Sequence, residues 1–214
     1  MSRLLLGPVL LAAMLATMAA LDAPGTLAQS LTPSPTPRTG IPTPPHALPV
    51  IGGGLFPSGE FTVVQAAAID RPDYVNYLIE AGSDPDSVDK DGRTGLIYAA
   101  MSNDSEIAQT LITHGAKLNP RDKLGYTALH WAAQRGSIAI MKLLLAAKAL
   151  VDPANDQGVT PLMLAASNGN ANAVRVLLQN HADPAKADYS GRDAIGWAGN
   201  RTAVLDLLKN AAAH

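Results

Sequence analysis

Gly92, Gly125, Gly158 and Gly191 stand 33 residues apart, and one more step back reaches Gly59. The same interval joins Leu96, Leu129, Leu162 and Ile195, then Ala66, Ala99, Ala132, Ala165 and Ala198, then Leu78, Leu111, Leu144 and Leu177. So many positions holding one period exclude chance. A repeat of this size is too short to bury its own apolar flank, so it must stack on a neighbour, and the fold that follows is a linear solenoid.

Each unit reads as a turn, a helix, a short turn and a second helix. In the Asp-x-x-Gly turns the Asp side chain accepts from nearby amides and Gly supplies a positive φ. Thr94, Thr127 and Thr160 stand where a hydroxyl caps the first helix, and Pro161 occupies a first-turn position that needs no amide donor. The Ala-Ala pairs allow close helix approach. The second helix carries a one-sided stripe, Ile138, Met141, Leu144 and Leu145 in one unit and Ala171, Val174, Leu177 and Leu178 in the next. Helices of about ten residues are marginal alone and draw their stability from packing.

At these residues the chain closely resembles the ankyrin repeat family. Thr127-Ala-Leu-His130-Trp-Ala-Ala matches the family's Thr-Pro-Leu-His-x-Ala-Ala, Thr160-Pro161-Leu162 supplies the proline, and Leu111-Ile-Thr-His-Gly115-Ala116 matches the end of the second helix. The resemblance implies an all-α ankyrin-repeat solenoid of about five helix-turn-helix units, near 59–88, 89–121, 122–154, 155–187 and 188–211, with an L-shaped section. It also implies that His130 ties adjacent turns by hydrogen bonds. Three departures stand out. Lys148 and His181 replace the helix-ending Gly82 and Gly115, Asp193 replaces the capping Thr, and the last unit lacks three residues between Gly199 and Leu207. The deletion is expected to shorten the connection between its helices and to leave the C-terminal end softer.

Little in the chain points to chemistry. There is no cysteine, hence no disulfide, thiolate nucleophile or thiolate metal site. A net charge of -2 argues against a general affinity for nucleic acid or a polybasic membrane contact. No His-x-x-x-His or His-Glu pairing suggests zinc. His114 and His181, at second-helix ends, suit the helix dipole. The acidic run from Asp84 to Gly92 puts Tyr98 where a calcium loop needs its bidentate carboxylate, so it reads as an inter-repeat turn. The sequons at Asn103 and Asn200 read as incidental. No catalytic residue, cofactor or metal is expected, and a hydrolase with an improvised site is only a remote alternative.

The first 28 residues read as an export signal. Arg3 precedes the uncharged stretch Leu4 to Leu21, and Thr26-Leu27-Ala28 offers small residues for cleavage before Gln29, with cleavage after Ala20 as second choice. An uncleaved anchor is the alternative. Residues 29–58 read as a linker holding Pro33, Pro35, Pro37, Pro42, Pro44, Pro45, Pro49 and Pro57 with Gly52-Gly53-Gly54; about 25 such residues, extended, reach on the order of 80 Å. The protein is therefore expected in the periplasm or outside the cell, on the membrane only if that first segment is retained.

What remains is surface. The resemblance implies that a partner protein meets the turn tips and the exposed side of the first helices. The expected contacts are Arg93, Tyr126, Trp131, Gln134, Arg135, Val159 and Asn168, centred on Tyr126, Trp131 and Arg135. Tyr98, Trp131 and Trp197 share one position of the repeat, with Leu164 between them; they read either as packing between units or as a partly exposed aromatic stripe. The functional expectation is an exported, monomeric protein-binding scaffold, with an inhibitor or immunity protein against an exported enzyme or toxin as the alternative.

Overall fold

The computed structural model describes residues 61–212; the signal and linker expected over 1–58 lie outside them. The helices are α1 (Val63–Ala68), α2 (Pro72–Glu80), α3 (Gly95–Ser102), α4 (Ser105–Thr113), α5 (Ala128–Arg135), α6 (Ile138–Ala146), α7 (Pro161–Ser167), α8 (Ala171–Gln179), α9 (Ala194–Ala198) and α10 (Thr202–Ala212). Among the described residues there is no strand, only an isolated bridge between Val88 and Thr94. No described helix is long and apolar enough to cross a membrane. The odd-numbered helices pack in one row and the even-numbered in a second, each pair against the next. The all-α repeat solenoid is what forms.

The repeated alanines explain how the first row packs. Ala66, Ala99, Ala132, Ala165 and Ala198 are all 0% exposed. A methyl group is all that fits where neighbouring helix backbones come together, so a larger residue would strain the stack. The second row closes with Leu111, Leu144, Leu177 and Leu208, all fully buried.

The sequence caps most of these helices as expected. Thr94 Oγ1 accepts from Ile97 N at 3.3 Å and Thr160 Oγ1 from Met163 N at 3.4 Å. Asp193 takes over in the last unit, accepting from Gly196 N at 2.8 Å. At the ends of α6 and α8 the backbone stays left-handed without glycine, with Lys148 at φ 71° and His181 at φ 65°. The carbonyls explain why. Lys148 N donates to Leu145 O and Ala149 N to Leu144 O, the paired bonds that satisfy the last turn, and His181 with Ala182 repeats them on Leu178 and Leu177.

The last unit departs from expectation. Its missing residues do not shorten the connection, since residues 199–201 join α9 to α10 as residues 168–170 join α7 to α8. They shorten the helix, leaving α9 with 5 residues against 7 in α7, so that two residues are lost and not three, with Leu208 in the place of Leu177. Ile97, His130 and Met163 are buried, and the same repeat position in α9 is Gly196, exposed, which offers no side chain to a further unit.

Two ladders stitch successive units together. At the turn tips Lys123 N donates to Asp91 O (2.9 Å), Asp156 N to Leu124 O (3.3 Å) and Tyr189 N to Gln157 O (3.0 Å). Behind them Lys117 N donates to Asp86 Oδ1 (2.8 Å), Leu150 N to Asn119 Oδ1 (2.9 Å) and Asp183 N to Asp152 Oδ2 (3.0 Å). Asp86, Asn119 and Asp152 again stand 33 apart. A short acceptor at that position locks each unit to the next.

Candidate protein-binding face

The face made by the turns and first helices is organised by one side chain per unit. Asp89 Oδ1 accepts from Asp91 N (2.8 Å) and Arg93 N (2.9 Å); Asp122 Oδ1 accepts from Leu124 N (3.0 Å) and Tyr126 N (2.9 Å). Asn155 and Asp188 do the same for their own turns. The second carboxylate oxygen reaches the first helix. Tyr98 Oη donates to Asp89 Oδ2 (2.8 Å), Trp131 Nε1 to Asp122 Oδ2 (3.1 Å) and Trp197 Nε1 to Asp188 Oδ2 (2.8 Å). Each aromatic is thereby fixed to the turn nine residues before it.

The exception fits the rule. In the fourth unit the turn residue is Asn155, whose Nδ2 is a donor, and the aromatic position is Leu164, which has nothing to accept with. Asn155 Nδ2 is buried without a partner. Oxygen is kept where a ring N–H or O–H meets it, and amide nitrogen appears where none does.

A second side chain covers each ring. The Arg93 guanidinium lies 5.9 Å from the Tyr98 centroid, that of Arg192 4.5 Å from Trp197, and the Tyr126 ring 5.3 Å from Trp131. These are the planar groups that stack well on aromatic faces. Electrostatics follow the geometry. Burial pushes the Asp89 carboxyl up, but the Arg93 amide and the Tyr98 hydroxyl outweigh it and hold it below the usual range. The Ser190 hydroxyl, with the Arg192 amide and the Trp197 indole, holds Asp188 well below the usual range despite burial. Burial first, and Asp89 second, push Tyr98 up.

Of the expected contacts, Tyr126, Trp131 and Gln134 are half-buried on this face and Arg135 is exposed beside them. Arg93 is half-buried over Tyr98, and Asn168 is exposed with its Nδ2 on Gln134 O at 3.2 Å. Val159 does not belong with them. It is 1% exposed, because it is too short to reach past the ring position as Arg93, Tyr126 and Arg192 do. Its carbonyl is used inside the stack, accepting from His130 Nε2 at 3.0 Å.

Tyr98, Trp131 and Trp197 are half-buried: they pack against the core, are fixed to their own turns and leave part of each ring exposed. Leu124, absent from the expected contacts, and the turn-tip residue Tyr189 are the most exposed large hydrophobic side chains among the described residues, at 60% and 79%. The repeat offered a signal for Leu124, since Asp91, Gln157 and Ser190 hold the same position and are polar.

His130 shows its tautomer. Its Nδ1 accepts from Thr127 N at 3.1 Å, so the proton sits on Nε2 and is donated to Val159 O in the next unit. Burial lowers its pKa to about 4. Among the described residues no group of three His, Asp or Glu stands where it could hold a metal ion.

A row of short helical hairpins, joined through turn tips and capped side by side, defines a helical repeat solenoid. A family model of ankyrin repeats (3 copies) matches residues 63–155 and 147–214, and the chain belongs to that family. Ankyrin repeats are, in general, protein–protein interaction modules. A comparison with curated proteins finds no match.

Proposed function

We propose that this chain is an exported, non-enzymatic scaffold that holds another protein on the face built from its turn tips and first helices. The observation that carries the reading is the ordered strip in which Arg93, Tyr126 and Arg192 cover rings that buried or half-buried carboxylates hold in place. Tyr, Trp and Arg are the residues that dominate binding hot spots, and a pre-set array loses little entropy on binding. Export is supported by Arg3, the uncharged run to Leu21 and the Pro-rich stretch that follows. A monomer is supported by Gly196, which gives no knob for a further unit at the end of the row.

The test is made on the full chain in its native host. Exported material is crosslinked and its partner recovered, then the recovery is repeated with Tyr126→Ala, Trp131→Ala and Arg135→Ala together. Loss of the partner with the helical circular dichroism retained is expected. Undiminished recovery contradicts the reading of the face, and a chain confined to the cytoplasm contradicts export.

A further inference from the structure

Asp89, Asp122 and Asp188 of the strip point inward, while Lys123, Arg135 and Arg192 point outward. Asp122 is 7% exposed beneath Trp131. The Asp188 side chain is 4% exposed, while the Arg192 that pairs with it at 3.3 Å is 57% exposed. Asp89 spends both oxygens on its own turn and on Tyr98, and Asp193 caps α9. The outward acids are Asp91 and Asp156, and both are already paired, the first with Arg93 and Lys123, the second with Arg121. Lys90 and Arg135 have no ion-pair partner among the described residues, and the Lys123 side chain is 68% exposed. Formal charge along the strip therefore hides a positive outer layer, because a carboxylate saturated by turn amides projects little field past the ring above it.

Apolar surface is interleaved with these cations, half-buried at Tyr126 and Trp131 and exposed at Leu124 and Tyr189. The outer face of the even-numbered helices has no such sorting. Asp73, Glu80 and Glu106 lie there with Lys142, Arg175 and Lys209, acids and bases exposed alike.

We propose, resting on the protein-binding reading above, that the partner lays an extended acidic segment across the strip, its carboxylates on Lys123, Arg135 and Arg192 and an apolar or aromatic side chain beside Tyr126 and Trp131. A segment that reaches from Lys123 and Arg135 in the third unit to Arg192 in the fifth crosses the intervening turn, and an extended chain makes that span with the fewest residues. A nucleic acid is disfavoured, because it carries a phosphate at every nucleotide and cannot skip Asp91 and Asp156 as a peptide with spaced carboxylates can, and the chain carries a net charge of -2.

The experiment uses the full chain and three labelled probes: a synthetic peptide alternating Glu with Leu and Tyr, its counterpart with Lys for Glu, and a single-stranded oligonucleotide. By fluorescence anisotropy the acidic peptide is expected to bind roughly tenfold tighter than either, and to weaken as salt rises. Arg135→Glu with Arg192→Glu removes that preference, and Lys142→Glu with Arg175→Glu on the outer face leaves it unchanged. Equal binding of the peptides, tighter binding of the oligonucleotide, or equal loss from the outer-face variant overturns the inference. If a native partner still crosslinks to the strip while the acidic peptide shows no preference, the acidic segment is wrong and the protein-binding face stands. Crosslinks confined to the outer face sink both.

Discussion

The indole Nε1 of Trp131 donates to Asp122 Oδ2 at 3.1 Å, while Oδ1 of the same carboxylate closes the turn on Leu124 and Tyr126. One aspartate thus sets the shape of the turn and the position of the ring that lies on the proposed binding face. On that proposal stability and binding share a residue, so neither is free to change alone.

That coupling is measurable by placing the fourth unit's pair in the third. Asp122→Asn turns an amide nitrogen toward the indole N–H and is expected to cost about 1–3 kcal/mol, the penalty of a buried donor without an acceptor. Trp131→Leu alone leaves Oδ2 without its donor. The double variant recreates the Asn155–Leu164 combination and should cost less than the two singles together, by roughly 1 kcal/mol. Urea unfolding of the four proteins checks this; simple additivity would contradict it.

The buried imidazole gives the fold an acid limit. His130 is neutral in the folded chain, with a pKa lowered to about 4 from an unfolded value near 6.5, chiefly by burial. A depressed histidine contributes its full stability above the unfolded pKa and loses it as pH falls toward the folded one. Unfolding free energy should therefore decline between about pH 6.5 and 4 by on the order of 3 kcal/mol. His130→Met, which copies Met163 of the next unit, should flatten that slope in denaturant titrations at several pH values.

Lys148 and His181 hold left-handed backbone that glycine adopts freely. Lys148→Gly and His181→Gly should each raise stability by about 1 kcal/mol, since the bonds that end α6 and α8 are already in place. Thermal melts check both. A loss of stability would mean that these side chains make compensating contacts.

How much of this was legible in the residues varies with range. The period and the capping Thr positions follow from local chemistry read at a fixed interval, and the inter-unit bond of His130 is what the family resemblance implies. The Asp–aromatic pairing was not legible, because it spans a turn and half a helix and depends on where the chain re-enters. Val159 was misplaced for a related reason. Its repeat position is a surface position, but exposure there needs a longer side chain, as in Arg93, Tyr126 and Arg192, and valine is too short. The deletion in the last unit could be seen in the sequence, yet only packing decides that it is two residues long and that a helix absorbs it and not a loop.

Asp70 sits at φ 57° in the connection between α1 and α2, with its carboxyl hydrogen-bonded to that of Asp104. That bond, with burial and the like charge of Asp104 behind it, raises its pKa. A raised carboxyl favours the fold while protonated, and the advantage is lost as pH rises through its folded value. Asp70→Asn keeps a residue tolerated in left-handed backbone, as Asn103 is at φ 63° one unit on. It should raise the melting temperature near neutral pH and change it less in acid, once Asp70 carries its proton. Equal shifts at both pH values would contradict this account.

The most direct test of the binding face is site-specific photo-crosslinking of the full chain in its host, with the photoreactive residue in place of Arg135 in one protein and of Arg175 in another. The account predicts a discrete crosslinked protein from position 135 and none from position 175. A partner captured from position 175 and absent from 135 would place binding on the second-helix row and contradict it.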